Sequence, residues 1–349
     1  MRDWDALILS KDQTMEKAIE ILEVYSRLGI CLVVDEDSVL CGTVTDGDVR
    51  RALIQKSAMN TRVTELMNCN PIVATQHDDR QVIEGLMREN FVTTIPVIDQ
   101  HGRVVNVIRE RASESVPDSS TSVVLMAGGF GKRLYPLTKN TPKPLLSVGH
   151  RPVLEVTFQN LIDQGFKDFH ISTYYLAEMV EAHFGDGSRW GVSISYLREE
   201  KPLGTAGGLS LLSGVEASYP ILVVNGDLLT RVDCNRLLEF HKEREGVATI
   251  GTRTFDLEIP YGVVTVEDGY AVELNEKPVE SFFVNAGIYA LEEEVLECVS
   301  PEIALDMPDL LESLIGRGKK VNTFPIHEHW LDIGRKEDYE IAKDMIAGR

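Results

Sequence analysis

Residues 123–146 read VVLMAGGFGKRLYPLTKNTPKPLL, an apolar run that breaks into glycines and then into a loop rich in cations and prolines. Val123–Ala127 has the length and β-branched content of a buried strand. Gly128, Gly129 and Gly131 follow at once, at the strand end where an open α/β sheet binds its ligands. Glycines there let backbone N–H groups approach a phosphate closely, and Lys132, Arg133 and Lys143 supply charge. Two familiar phosphate loops are excluded by spacing. The dinucleotide fingerprint needs G-x-G-x-x-G opening a helix, and the P-loop needs Ser or Thr after its Gly-Lys pair, where this chain has Arg133.

Downstream, short β-rich runs alternate with helical patterns. The runs are Phe169–Thr173, Ile194–Leu197, Ile221–Asn225 and Ala248–Thr252, and Val153–Gln164 and Cys234–Glu243 are helix candidates between them. This order predicts a Rossmann-like α/β domain over 123–349, with a mostly parallel sheet and helices on both faces. Tyr261–Glu276 reads as an antiparallel hairpin turning at Glu267, Asp268 and Gly269, and Lys336–Ile346 as a closing helix.

Upstream lies SESVPDSSTS, residues 113–122, too small and polar to pack and therefore read as a linker. Before it the sequence repeats at an ungapped offset of 64 residues, matching Ile19 with Ile83, Leu22 with Leu86, Val33 with Val97, Asp35 with Asp99 and Val44 with Ile108. Two copies of one helix, strand, turn, strand unit account for this, assigned to 1–57 and 58–112.

Composition narrows the function. The 35 basic and 55 acidic residues give a formal charge of −20, which disfavours nucleic acid and anionic membrane as partners but leaves room for a small anion held by a few placed cations. No apolar run reaches the ~18 residues of a membrane span, and MRDWDALILSKD lacks the plan of a signal peptide. The five cysteines are scattered, with no C-x-x-C pair. A cytoplasmic protein with reduced thiols is expected.

The first repeat ends in Gly42-Thr-Val-Thr-Asp-Gly-Asp-Val-Arg-Arg51, and the repeat pair resembles a tandem CBS module. The family's adenosine-nucleotide sites use Ser or Thr followed three residues later by Asp. The resemblance therefore implies a site at Thr45 and Asp48, the hydroxyl meeting phosphate and the carboxylate the ribose. The second copy places Arg109 and Ala112 at those positions and departs from the pattern. Adenine-nucleotide sensing and an interaction or oligomerisation scaffold stand side by side as readings of the pair, and a homo-oligomer is expected.

The stretch from Gly128 to Leu146 resembles the GGxGTRLxPLT…PKxLLP hallmark of sugar-1-phosphate nucleotidyltransferases. Further segments match in order: PLGTAGG from Pro202, VVNGD ending at Asp227, EKP from Glu276, NAGIY from Asn285 and WLDIG around Asp332. The resemblance implies that Ala127, Gly128, Gly129, Gly131, Lys132, Gly204 and Thr205 line the nucleotide, with Lys132 standing where Thr is usual. Arg133 and Lys143 contact the triphosphate, and Lys277 neutralises the attacking phosphate. Asn225, Glu276, Asn285 and Gly287 form the sugar side, and Asp227 and Asp332 hold Mg²⁺, a hard ion that favours oxygen ligands. The reaction needs positioning and charge neutralisation rather than a nucleophilic side chain. His327 and His329 beside Glu328 are read as strand or loop alternation rather than a zinc site.

The resemblance puts Glu199, five residues before Gly204, at the base-reading position, where thymidylyl and uridylyl relatives carry Gln. A carboxylate only accepts hydrogen bonds, and the Watson–Crick edge of guanine offers two donors where thymine and uracil present carbonyls. GTP is the expected donor. The fused CBS pair resembles the glucosamine-1-phosphate guanylyltransferases of legionaminic acid routes, which implies glucosamine or N-acetylglucosamine 1-phosphate as acceptor. Mannose and heptose 1-phosphates, a uridylyl or thymidylyl donor, and a non-catalytic nucleotide sensor are the alternatives.

Overall fold

The computed structural model describes residues 4–25, 28–90, 92–109, 120–301 and 303–346. The chain divides into two compact units, Met1–Ser115 and Val116–Arg349. Most of the sequence-predicted linker, residues 113–119, lies outside the described residues.

The first unit contains β1 (Ile8–Ser10), α1 (Met15–Val24), β2 (Ile30–Val34), β3 (Leu40–Thr45) and α2 (Asp46–Ile54), then β4 (Ala74–Thr75), α3 (Arg80–Asn90), β5 (Thr94–Ile98) and β6 (Val104–Arg109). Two three-stranded sheets result, ordered β1-β2-β3 and β4-β5-β6. In each, the first pair is parallel and the second antiparallel. The predicted repeat holds down to its irregularities. The ladder slips between Val33 and Val34 and again, 64 residues on, between Val97 and Ile98. Asp35 and Asp99 then close matching turns, each carboxylate accepting two backbone N–H bonds. Those bonds hold the Asp99 carboxyl below its usual range. The position equivalent to Asp48 in the second copy, Ala112, lies outside the described residues.

The second unit begins with β7 (Ser122–Met126), β8 (Ser147–Val148), β9 (Arg151–Pro152), α4 (Val153–Asp163), β10 (Asp168–Thr173), α5 (Ala177–Phe184), β11 (Ser193–Arg198), α6 (Gly204–Gly207), β12 (Ile221–Asn225) and β13 (Leu228–Thr230). It continues through α7 (Cys234–Glu243), β14 (Ala248–Glu258), β15 (Gly262–Glu267), β16 (Tyr270–Glu276), β17 (Val279–Leu291), α8 (Glu293–Leu296), α9 (Met307–Gly316), β18 (Val321–Ile326), β19 (Trp330–Asp332) and α10 (Lys336–Ile346). Seven strands make the main sheet, in the order β11-β10-β7-β12-β17-β14-β18. Only β17 runs antiparallel to its neighbours, so the sheet is mostly parallel, as the strand and helix alternation predicts.

Period-two alternation distributes the strand side chains between two cores. Val123, Leu125, Leu222 and Val224 face one side with Phe158, Phe169 and Phe184; Val124, Ile221 and Val223 face the other with Leu310 and Leu314. Removing one of the buried phenylalanines costs about 3–5 kcal/mol. A third, smaller cluster joins Leu134 and Leu146 of the long loop to Leu229, Ile333, Tyr339 and Ala342. That cluster fixes α10 and β19 against the segment that follows the glycines.

β14 runs well past its sequence-predicted limit, and β17 is a strand the sequence reading did not single out. The expected run Ala248–Thr252 continues to Glu258, and together with Val279–Asn285 it forms a two-stranded ribbon leaving the sheet. The predicted hairpin is present as β15 and β16, paired from Gly262↔Glu276 to Glu267↔Tyr270.

Candidate active site

β7 ends between β10 and β12, and its continuation is tied to both neighbours. Ala127 N–H donates to the Ser172 carbonyl at 3.0 Å, and Gly226 N–H donates to that of Met126 at 2.9 Å. The loop then turns at Gly131, whose φ of 62° suits glycine. A Cβ there would stand 2.7 Å from Thr138 Cγ2 and 3.0 Å from Lys143 Cβ, so only glycine lets Lys143 pack this close. Lys132 and Arg133 form a single 3-10 turn, and Lys143 opens another. A cavity of about 370 Å³ lies between them, lined by Lys132, Arg133, Lys143, Asp227 and Gly334 among others. The Lys132 ammonium sits 5.2 Å from the Phe130 ring centre, a cation–π contact. Phe130 leans in turn on Tyr174 and Tyr175, at centroid distances of 5.4 and 5.5 Å. Sequence reading missed these two tyrosines. Their signal was available, because they follow β10 at the same end of the sheet.

The two acids proposed for a metal are brought together by a strand pair that no local pattern reveals. β13 starts directly after Asp227 and runs antiparallel to β19, with Leu228 opposite Asp332. Ile333 N–H donates to the Asp227 carbonyl at 3.0 Å. Lys143 Nζ donates to Asp227 Oδ2. Burial, and then the charge of Asp227, push the Asp332 carboxyl up to about 6, while Lys143 and Arg133 pull the other way. Two facing carboxylates, one held partly against ionisation, are a donor set that a divalent cation satisfies: both offer oxygen, and a +2 charge relieves their repulsion.

A second cavity of about 210 Å³ adjoins the first and is lined by Ala127, Gly128, Gly129, Glu199, Gly204 and Thr205, among others. Glu199 is only 8% exposed. Its Oε1 accepts from Ser172 Oγ at 2.7 Å, and its Oε2 from Leu203 N–H at 2.8 Å. A Cβ on Gly128 would come to 3.0 Å from Oε1. Thr205 lies within the short helix α6. Its N–H and hydroxyl both donate to Asp306 Oδ1, and its oxygen accepts from Met307 N–H at 2.8 Å, locking the loop to the start of α9.

On the sugar side, Asn225, Gly287 and Asn285 form a chain. Gly287 has φ 72°, and a Cβ on it would lie 2.6 Å from Asn225 Nδ2. Gly287 N–H donates to Asn285 Oδ1 at 2.9 Å. Nearby, burial pushes the Tyr289 hydroxyl up to about 12, with Asn285 opposing and Asp227 reinforcing the shift. Glu276 and Lys277 lie at the junction of β16 and β17 and are not among the residues lining the two cavities. Both are exposed, and neither makes a side-chain hydrogen bond or ion pair among the described residues. Lys277 itself has φ 48°, a left-handed conformation uncommon for lysine.

In the first unit, Thr45 and Asp48 are adjacent and already engaged. Thr45 caps α2, and its N–H and hydroxyl donate to Asp48 Oδ2 at 2.9 and 2.7 Å, a capping box. Arg51 also reaches Asp48, at 2.9 Å. A Thr followed three residues later by Asp before an apolar helix signals that cap as readily as it signals a ligand.

Comparison with known proteins agrees with this layout. The nucleotidyl transferase family model matches residues 122–348, and the CBS domain model matches 1–55 and 63–112. The chain is 33% identical over 245 residues to a UTP--glucose-1-phosphate uridylyltransferase of Synechocystis, covering 65% of this chain and 63% of the relative. It is 35% identical over 225 residues to a mannose-1-phosphate guanyltransferase of Pichia angusta, covering 62% and 61%. It thus spans a little over three fifths of the length of these relatives. Among solved structures, one assigned as a glucose-1-phosphate thymidylyltransferase from Bacillus anthracis superposes with a TM-score of 0.53 at 26% identity, covering 64% of this chain and 94% of that one. With the match from residue 122 to 348 taking in well over half of its length, the protein belongs to the nucleotidyl transferase family.

Proposed function

We propose that the protein transfers a nucleotidyl group from a nucleoside triphosphate to a sugar 1-phosphate. The observation that carries this reading is the meeting of Lys143, Asp227, Asp332 and Arg133 at the mouth of the glycine loop. A phosphate oxygen of the sugar 1-phosphate attacks the α-phosphorus, the bond to the β-phosphate oxygen breaks, and pyrophosphate leaves. Arg133, Lys143 and Lys132 neutralise the triphosphate, and Lys277 meets the attacking phosphate. Asp227 and Asp332 are the residues that would hold Mg²⁺, which when bound supplies further positive charge to the phosphate oxygens.

GTP is the proposed donor. Glu199 lines the second cavity, and Ser172 and Leu203 occupy two of its roughly four lone-pair sites. The others are free to accept from a guanine edge. The proposed acceptor is glucosamine or N-acetylglucosamine 1-phosphate, met by Asn225, Glu276, Asn285 and Gly287, in a cytoplasmic route to nucleotide sugars. For the CBS pair we propose adenine-nucleotide binding at Thr45 and Asp48. Relatives named as sugar-1-phosphate uridylyl- and guanyltransferases support the reaction class.

Pyrophosphate release, measured with Mg²⁺ and a panel of triphosphates and sugar 1-phosphates, tests the reading. Turnover is expected to be fastest with GTP and an amino-hexose 1-phosphate. No turnover with any pair, despite tight nucleotide binding, would make the chain a sensor. Faster reaction with UTP or dTTP than with GTP would remove Glu199 from base selection.

A further inference from the structure

Residues 303–307 clasp the loop 203–207 that walls the second cavity. Leu305 N–H donates to the Leu203 carbonyl at 2.8 Å, and the Leu305 carbonyl accepts from the N–H groups of Ala206 and Gly207 at 2.9 and 3.0 Å. The glycines of the loop make this approach possible. A Cβ on Gly204, which has φ 79°, would stand 2.6 Å from the Leu305 carbonyl oxygen, and one on Gly207 would stand 2.8 Å from that of Ile303. Both clashes are with backbone, which cannot swing aside as a side chain can. These two glycines are therefore required by the docking of the loop on 303–307.

One side chain of the clasp takes part. Asp306 stands at the N-cap of α9, yet its carboxylate makes no capping bond to its own helix. Its Oδ1 accepts from Thr205 N–H at 3.0 Å and from the Thr205 hydroxyl at 3.3 Å, while Thr205 Oγ1 accepts from Met307 N–H at 2.8 Å. The caps are exchanged between elements: Thr205 serves the first turn of α9, and Asp306 serves the first turn of α6. Leu203, buried in the same loop, gives its N–H to Glu199 Oε2 at 2.8 Å. Glu199 and the clasp thus hold the loop from its two sides.

We infer that Asp306 is a positioning residue for the donor nucleotide, setting through Thr205 and Leu203 the separation between the loop and the Glu199 carboxylate into which the base fits. Asp306 is not among the residues lining either cavity, so it acts through the loop. The inference rests on the nucleotidyl transfer reading. Two bonds of this kind are worth on the order of tenfold in an equilibrium.

The test compares Asp306→Ala, Asp306→Ser and Asp306→Asn in the full chain. Asn keeps an oxygen that accepts both Thr205 bonds. Ser keeps an oxygen that caps α9 but is one bond shorter and ends short of Thr205, so it gives the reading if the Ala variant fails to fold. In Ala and Ser, KM for the preferred triphosphate should rise about tenfold and the preference over the next-best triphosphate should fall severalfold, with kcat and KM for the sugar 1-phosphate within about twofold. Asn should match wild type. Unchanged triphosphate KM and preference, an equal rise in both KM values, or an Asn variant as impaired as Ala would overturn the inference. If the unaltered chain turns over no substrate pair, the transferase reading fails, and titration calorimetry with GTP, UTP and dTTP decides on Asp306 instead. Binding of the tightest of these about tenfold weaker in Ala and Ser supports it, and equal binding overturns it.

Discussion

Lys143 and Asp227 are joined by an ion pair across 84 positions of sequence, and the strand that follows Asp227 is zipped to the one that ends in Asp332. One cation and two acids thus share a single point at the end of β7 and β12. Asp227→Asn keeps the shape and removes the charge. It should lower kcat by about 10²–10³-fold, the usual loss when one preorganised electrostatic group is removed, with an unchanged circular dichroism spectrum. Near-normal turnover would exclude Asp227 from the reaction.

The raised carboxyl of Asp332 gives a stability signature without substrate. Its folded value, about 6, lies above the ordinary 3.8, so the folded protein holds the proton more tightly than the unfolded chain. This contribution is present in full below pH 3.8 and is lost as pH rises through 6. In EDTA, the melting temperature of Asp332→Asn minus that of wild type should therefore grow between pH 4 and pH 7. Added Mg²⁺ should close the gap by stabilising wild type alone. A pH-independent difference would show that Asp332 ionises normally.

Glu199→Gln tests base selection and packing together. A Gln side chain has one acceptor oxygen, so Ser172 or Leu203 loses its partner, and a buried donor left unpaired costs about 1–3 kcal/mol. The variant should melt earlier and lose at least about tenfold in kcat/KM with GTP, with the smaller loss for UTP. Equal losses for both triphosphates would mean that Glu199 only supports the loop.

Gly287→Ala should destabilise by about 1–3 kcal/mol, because its left-handed backbone penalises any Cβ and the new atom would meet Asn225 at 2.6 Å. Displacing Asn225 should raise KM for the sugar 1-phosphate more than KM for the triphosphate. The reverse order would take Asn225 out of the sugar side.

Asp48→Ala removes the capping box and should cost about 0.5–2 kcal/mol in unfolding experiments without nucleotide, and more with adenine nucleotide present, because bound ligand stabilises wild type alone. Asp48→Asn retains a capping oxygen and separates the roles. Adenine-nucleotide titration that is lost in both variants, while only Ala destabilises, would assign the carboxylate to a ligand.

What could be read from the sequence was what is local. The 64-residue repeat follows from periodic apolar positions, and the structure extends it to a repeated ladder slip after Val33 and Val97. The glycine loop, the strand run Ile221–Asn225 and the hairpin turning at Glu267 to Gly269 are written in consecutive residues. The partners of the site residues are not. Ser172 reaches Glu199 across 27 positions, and Asp306 reaches Thr205 across 101, distances over which pattern carries no information. β14 was read short because Arg253–Glu258 lack a continuous apolar run, and their alternation of Phe255 and Leu257 with Thr254, Asp256 and Glu258 belongs to a ribbon exposed on both faces.

The pairing of β13 with β19 also has a meaning in time. During synthesis Asp227 leaves the ribosome long before Asp332, and until β19 arrives the first acid has no counterpart. Lys143 and the glycine loop can already be in place while the site is still half built. A nascent or truncated chain that stops before residue 330 therefore holds Lys143 and Asp227 without the second acid beside them.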